Sequence, residues 1–164
     1  MSAGPPSSVP DAIVHAFATA RYVIDAPSGQ ITLSIGCESP ALHDLMQVCG
    51  AQTMAILTAF NPGAQHRNAA TNRAAQEALT DEARTLGLPM FTGYNAAAVN
   101  GPPQRGHEHA RANASALIMD DTTEPTVILL GIHPSQASAL ASAYGQLAWV
   151  FAGRDAVPRL VWKI

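Results

Sequence analysis

A short apolar run that ends in a polar corner and continues into a helix-forming stretch constrains this fold more than any other feature. The whole pattern occupies residues 52–73. Thr53 to Ala59 is almost continuously apolar, which predicts a central strand covered on both faces. Pro62 has no N–H group and disfavours helical geometry at Asn61, so the strand can extend to Asn61 but not far beyond it.

The stretch after the corner is the strongest predicted helix. Residues 69–86 are rich in Ala, Gln, Glu, Arg and Leu, which are good helix formers. Asn72 falls on the same helical stripe as Leu79 and Leu86, so we expect its side chain to point toward the core. Because an unpaired polar group in the interior costs about 1–3 kcal/mol, we expect Asn72 to find hydrogen-bond partners in the corner at residues 58–61.

Four short motifs follow one another along the chain: Thr58-Ala59-Phe60-Asn61-Pro62, Asn72-Arg73, Glu124-Pro125-Thr126 and Tyr144-Gly145-Gln146. In this order they resemble a family of small bacterial proteins that is catalogued only as a domain of unknown function. The likeness extends from about Arg21 to the C-terminus. It supports the fold boundaries and the polar positions, and it implies no particular reaction.

Length and charge limit the classes of protein that fit. The chain has 164 residues, of which 48% are hydrophobic and 13% charged, as expected for one globular domain. Its net charge is -3 and it has only 9 Lys and Arg residues. Because affinity for nucleic acid comes mainly from clustered basic side chains, we expect no nucleic-acid partner.

The cysteines and the first residues indicate the compartment. Cys37 and Cys49 are the only cysteines, and no cysteine-rich framework accompanies them, so we expect buried free thiols. The chain begins without the basic and apolar segments of a signal peptide, and no apolar run approaches the length of a membrane span. We therefore predict a cytoplasmic protein that has no membrane partner.

Most of the chain alternates between predicted strands and helices. A short helix is expected over 11–20, a hairpin over 22–26 and 30–35, and a helix from Pro40 that Ser39 caps. The later elements are strands at 89–94, 125–132, 147–151 and 159–164 and a helix at 134–144. We expect a mobile N-terminal tail at 1–9 and a single domain at 10–164. The domain includes a long irregular segment at 95–123, in which a helix over 107–119 is one interpretation.

This order predicts an α/β domain with a mixed sheet and helices packed on it. The two most apolar strands, 53–59 and 125–132, are each followed by a helix, so we expect them to pair in parallel through right-handed crossovers. Ligands collect beyond the carboxyl ends of such strands. Asn61 and His133 would then lie at the same edge of the sheet.

Six polar residues form the predicted ligand site: Thr58, Asn61, Asn72, Glu124, His133 and Gln146. Their side chains can hold a carboxylate, an amide or a nucleobase edge through short hydrogen bonds. The alternative is a structural network that fixes the turn between strand and helix. His107-Glu108-His109 lacks the spacing of a zinc motif, so we predict no metal site, and no phosphate loop or other signature indicates a cofactor.

Three functional hypotheses follow. The first is a domain without catalytic activity that binds a small polar molecule or a protein partner at the edge containing Asn61. The second is an enzyme of unknown class, in which Glu124 or His133 acts as acid or base and Asn61 orients the substrate. The third is an interaction protein that recruits its partner through the segment at 95–123 or through its weakly charged surface. No residue is assigned a catalytic role by sequence motifs.

Overall fold

The computed structural model describes residues 4–98 and 123–163, which form four α-helices around a seven-stranded sheet. The helices are α1 (Asp11–Thr19), α2 (Pro40–Val48), α3 (Ala69–Arg84) and α4 (Pro134–Ala143). The strands are β1 (Arg21–Ala26), β2 (Gly29–Leu33), β3 (Met54–Leu57), β4 (Met90–Ala96), β5 (Thr123–Leu130), β6 (Ala148–Ala152) and β7 (Arg159–Trp162). A 3-10 turn, Pro62–Ala64, follows β3. The predicted α/β class is confirmed.

The expectation of a mixed sheet is wrong. The strand order is β2-β1-β4-β5-β3-β6-β7, and every strand pairing among the described residues is antiparallel. The two most apolar strands, β3 and β5, are neighbours as expected, but they run in opposite directions, with Ile56 opposite Ile128.

Both helical crossovers skip one strand, and this explains the error. The helix α3 connects β3 to β4, and β5 lies between them. Likewise α4 connects β5 to β6, and β3 lies between those two. Each helix still joins parallel strands, as such crossovers do. The strand that fills each gap runs the other way, so no two neighbouring strands in the described sheet are parallel.

Helices cover both faces of the sheet. On one face, Leu42, Leu45 and Met46 of α2 pack with sheet residues such as Ile24 and Ile128, and the partly buried side of α1 joins this cluster. Burial of these side chains away from water supplies most of the stabilisation of such a layer.

The opposite face carries α3 and α4. Leu79 and Ala83 of α3 and Leu140 of α4 pack against Leu57 and Leu129 of the sheet. The domain is therefore built of three layers, with β3 and β5 at its centre. The strands in the middle of the sheet are covered on both sides, as their continuous apolar sequences predicted.

The helix α3 follows its sequence pattern closely. The side chain of Asn68 caps its start by accepting a hydrogen bond of 2.8 Å from the backbone N–H of Thr71. Asn72, Gln76 and Leu79, together with Ala83, form its buried stripe. The predicted inward orientation of Asn72 is confirmed, because its side chain is only 4% exposed.

The two segments predicted to be irregular are described only in part. Val9, within the expected tail, packs against the apolar cluster of α1 and α2. The strands β4 and β5 extend to Ala96 and from Thr123, into the segment predicted to be irregular. The predicted helix at 107–119 and the run His107-Glu108-His109 lie outside the described residues.

Two further expectations concern the state of the cysteines and the presence of membrane-spanning helices. Both cysteines are free, as predicted, but Cys37 is exposed and Cys49 only partly buried. The exposure of Cys37 corrects the expectation of two buried thiols, and it arises because this residue lies in the loop between β2 and α2. None of the described helices has the length and apolar character needed to cross a bilayer.

Candidate functional site

Polar side chains collect at one end of the sheet, where β3 and β4 finish and β1 and β5 begin. Tyr22, Asn95 and Glu124 occupy directly paired positions on three neighbouring strands. Residues that are opposite each other in a sheet share a face, so these three form a row. The corner after β3 lies at the same end, because β3 is antiparallel to β5, the strand that carries Glu124.

Asn61 and Asn72 form a reciprocal pair that fixes the corner to α3. The backbone N–H of Asn61 donates to Oδ1 of Asn72 over 3.0 Å, and Nδ2 of Asn72 donates to Oδ1 of Asn61 over 2.9 Å. The same Nδ2 donates to the carbonyl of Arg67 over 3.3 Å, and the N–H of Arg67 donates to Oδ1 of Asn61 over 3.0 Å. The amide of Asn72 is thus used within the protein.

Thr58 and Gln76 extend this network into the strand. The hydroxyl of Thr58 donates to the carbonyl of Pro125 over 2.8 Å and accepts from the N–H of Phe60 over 3.1 Å. Oε1 of Gln76 accepts from the N–H of Ala59 over 2.8 Å. These bonds satisfy the backbone groups that are exposed where β3 leaves its ladder.

The corner itself has a strained backbone. Asn61, Gly63 and Ala64 all have positive φ angles, of 47°, 66° and 57°. A left-handed conformation costs a residue with a side chain roughly 1–2 kcal/mol, although Asn tolerates it better than most. The network around Asn61 and a backbone bond of 2.8 Å from Gly63 to Gly145 hold this shape. Strain of this kind is concentrated at functional sites in folded proteins.

Glu124 is the ionisable group that this corner positions. Nδ2 of Asn61 donates to Oε1 of Glu124 over 2.8 Å, and Asn95 on the neighbouring strand donates a second hydrogen bond. Burial raises the pKa of the Glu124 carboxyl above its ordinary value, whereas both hydrogen bonds and the nearby His66 oppose this shift. The Glu124 carboxylate in turn adds to the effect of burial in raising the pKa of Tyr22.

A cavity of about 370 Å³ lies beside Glu124. Three buried side-chain oxygens have no hydrogen-bond partner among the described residues: Oδ1 of Asn95, Oγ1 of Thr126 and Oε1 of Gln146. All three residues line this cavity. Buried oxygens usually have partners, so three residues with unpaired oxygens around one cavity are a feature that requires an explanation.

The first helix supplies an apolar wall of the cavity. Ile13 and Phe17 of α1 line it, and neither side chain is fully buried by the rest of the described chain. Phe17 anchors the helix through an edge contact with Trp162, and its carbonyl accepts a bond of 2.8 Å from the hydroxyl of Tyr22. The cavity therefore has a polar end at the corner and an apolar side beneath α1.

Most of the predicted site residues come together in this region. Thr58, Asn61, Glu124 and Gln146 line the cavity, and Asn72 supports it from behind. His133 does not join them. It follows the carboxyl end of β5, which lies at the opposite end of the sheet from Asn61 because β3 and β5 are antiparallel.

At that opposite end His133 caps the start of α4. Its ring Nδ1 accepts a hydrogen bond of 3.2 Å from the N–H of Ser135, and its backbone N–H donates to the side chain of Gln136. These two bonds form a capping box at the start of α4, and His133 is exposed there.

Sequence reasoning missed four residues of the site. Gln76 carries a usable signal, because it lies four residues after Asn72 on the same helical stripe. Tyr22 and Asn95 carry none, since only the register of β1, β4 and β5 brings them beside Glu124. Thr126 belongs to the Glu124-Pro125-Thr126 motif, and alternation along β5 places it on the same face as Glu124.

This three-layer architecture with a carboxyl held at one end of an antiparallel sheet defines an α/β domain with a polar corner site. The model of a family described as "Protein of unknown function (DUF3293)" matches residues 57–149, and the chain belongs to this family. The match includes the corner, Glu124 and Gln146. The predicted resemblance to a family of unknown function is confirmed. No curated protein and no solved structure matched the chain.

Replacing Glu124 with Gln is expected to change how the free energy of unfolding depends on pH. The pKa of Glu124 in the folded protein is raised above 4.5, its ordinary value, so the folded state holds this proton more tightly than the unfolded state. The associated stabilisation is present below pH 4.5 and is lost as pH rises through the raised pKa. Urea titrations across this pH range should show the wild type losing stability relative to Glu124→Gln as the pH rises. If the two proteins showed parallel pH profiles, the raised pKa of Glu124 would be contradicted.

Proposed function

We propose that this protein binds a small polar molecule in the cavity beside Glu124. The observation that carries this proposal is that the three residues with unpaired, buried side-chain oxygens, Asn95, Thr126 and Gln146, all line that one cavity. An unsatisfied buried polar group costs about 1–3 kcal/mol, which a ligand that pairs with it recovers. The cavity volume of about 370 Å³ lies within the usual range for ligand pockets, roughly 300–1,000 Å³.

The six predicted site residues divide into groups in this proposal. Glu124 and Gln146 contact the ligand directly, because their side chains line the cavity. Asn61 positions the Glu124 carboxyl, and Thr58 and Asn72 position Asn61 and the corner.

His133 has no part in this binding site. We place the protein in the bacterial cytoplasm, an assignment that its two free thiols support. The hypothesis of a protein partner recruited through the segment at 95–123 depends mostly on residues 99–122, which lie outside the described residues.

A second candidate function is an enzyme in which Glu124 acts as a general acid or base. The raised pKa of a carboxyl that borders a cavity favours it, because catalytic acids and bases have pKa values shifted toward the working pH. His133 is a poor candidate for the same role, since it is exposed and caps α4. Turnover of the ligand that is identified by binding, and its loss in Glu124→Gln, would distinguish this candidate from simple binding.

The proposal is tested by amide NMR titration of the full chain against pooled amines, polyols, amino acids, carboxylic acids and nucleotides. We expect shifts concentrated at residues around the cavity, such as Tyr22, Asn95, Thr126 and Gln146. A small ligand that pairs with the unpaired oxygens should perturb these amides first. Glu124→Gln should weaken that response.

The exposed carboxylate of Glu38 provides a matched control for the charge change. Glu38→Gln removes the same charge at a position that does not line this cavity, so the response should persist in it. A well-dispersed spectrum without localised shifts for any compound class would overturn the proposal. Shifts centred on α4 and His133 would move the binding site to the other end of the sheet.

A further inference from the structure

The side chains that face the cavity offer mainly hydrogen-bond acceptors. Glu124 contributes a carboxyl, the unpaired atoms of Asn95 and Gln146 are amide oxygens, and the unpaired hydroxyl of Thr126 can accept as well as donate. Thr126 is 2% exposed and Gln146 is 7% exposed, so both oxygens are well removed from bulk water. A ligand that satisfies this set has to bring several donors of its own.

Two of the side-chain donors nearby are already used within the protein. Nδ2 of Asn61 donates to Glu124, and the hydroxyl of Tyr22 donates to the carbonyl of Phe17. The site is therefore poorly suited to a carboxylate or a phosphate, since either would meet acceptor oxygens and the Glu124 carboxyl. A donor-rich group would meet complementary atoms.

The charged groups around the cavity also favour a donor-rich ligand over an anionic one. Its described lining residues include one carboxylate, Glu124, and neither Lys nor Arg. His66 and Tyr22 are the titratable groups that act on Glu124 within the cavity. Arg67, Arg73 and Arg84 border an adjoining groove along α3, which shares Glu124, Asn61, His66 and Phe60 with the cavity. A partly buried carboxylate that has no Lys or Arg in its cavity gains from a cation placed beside it.

The rest of the cavity indicates the shape of the ligand. Ile13 and Phe17 of α1 form one wall, and Ile56, Val150 and Leu160 of the sheet line it as well. These apolar side chains favour a hydrocarbon body next to the donor group.

We infer that the ligand is a small primary amine with an apolar body, whose ammonium group binds among Glu124, Asn95, Thr126 and Gln146. This inference rests on the proposed small-molecule function and specifies its ligand class. An ammonium group has three donors and one positive charge, which match the acceptor oxygens and the Glu124 carboxylate.

The test compares three probes of similar size by NMR titration: 2-phenylethylammonium, 2-phenylethanol and 3-phenylpropionate. We expect the ammonium to bind at least about tenfold more tightly than the alcohol, because charge-assisted hydrogen bonds are roughly twice as strong as neutral ones. The carboxylate should bind most weakly. Affinity for the ammonium should rise with pH as Glu124 ionises, and affinity for the alcohol should stay nearly constant.

Variants separate this inference from the broader proposal. Glu124→Gln should remove the preference for the ammonium over the alcohol, and Glu38→Gln should retain it. Equal affinities for the two probes, or tighter binding of 3-phenylpropionate, would overturn the amine assignment and leave small-molecule binding intact. If none of the three probes binds and the pooled library yields only a neutral or anionic ligand at this cavity, the amine assignment is also overturned. Absence of any ligand at the cavity would overturn both.

Discussion

Replacing Gly93 with Ala should destabilise the protein by more than about 4 kcal/mol, enough to unfold many domains of this size. A Cβ atom at this position would lie 1.9 Å from the backbone carbonyl oxygen of Val23 and 3.0 Å from Cδ1 of Ile128. Val23 belongs to β1 and Ile128 to β5, the two strands that pair with β4. Because the closer atom is backbone, the clash is relieved only by separating β4 from β1.

Gly153 provides the matched control for this change. A Cβ atom at Gly153 meets no heavy atom within 4 Å, so Gly153→Ala should alter the free energy of unfolding by less than about 0.5 kcal/mol. Urea denaturation followed by circular dichroism measures both variants. A Gly93→Ala protein as stable as Gly153→Ala would show that β1 and β4 do not approach as closely as described.

The same glycine matters for the site. It lies directly opposite Thr126, and Asn95 follows two residues later on the same face of β4. The close approach of β1 and β4 therefore sets the positions of Tyr22, Asn95 and Glu124 relative to one another. Loss of this register would disperse the unpaired oxygens even if part of the sheet survived.

Replacing Asn72 with Ala should cost about 2–4 kcal/mol of the free energy of unfolding. The change removes the acceptor for the N–H of Asn61 and the donor to the carbonyl of Arg67. It also releases the side chain of Asn61, whose Nδ2 holds Glu124. We therefore expect the affinity of the cavity ligand to fall as well, in the fraction of the protein that stays folded.

A second variant at position 72 and a control variant at position 71 test this interpretation. Asn72→Asp keeps an acceptor for the N–H of Asn61, but it places a buried carboxylate oxygen against Oδ1 of Asn61 and the carbonyl of Arg67, so at neutral pH it should be at least as destabilising as Asn72→Ala. Thr71→Ala, one residue away on the exposed side of α3, should be nearly neutral. Chemical denaturation at neutral pH gives all three values. An Asn72→Ala protein as stable as Thr71→Ala would contradict a structural role for the Asn61–Asn72 pair.

The pairing of Asn61 with Asn72 illustrates what local sequence can predict. A proline-limited strand, an amide on the core-facing stripe of the next helix, and the free-energy cost of an unpaired buried group together indicated that pair. The hydrogen bonds between the corner and Asn72 confirm it. The prediction succeeded because both partners lie within one strand–turn–helix unit, where chain connectivity alone brings them close.

The location of His133 illustrates the opposite case. Placing it beside Asn61 required β3 and β5 to be parallel, and that assumption followed from treating each helical crossover as a link between neighbours. In the structure each crossover leaves a gap of one strand, and a strand from the other crossover fills it. Strand order of this kind depends on pairings between distant segments, on which local hydrophobic patterns give no information.

The sequence by itself thus determined the elements, the buried faces of the helices and the polar corner, because periodicity, proline geometry and capping act over a few residues. Only the tertiary structure decided which polar groups share a cavity with Glu124. Tyr22 and Asn95, which no local pattern marks, reach it through the register of three antiparallel strands. Those positions follow from long-range hydrogen-bonded pairing and close packing, which fix the fold as a whole and leave no trace in any short stretch of the chain.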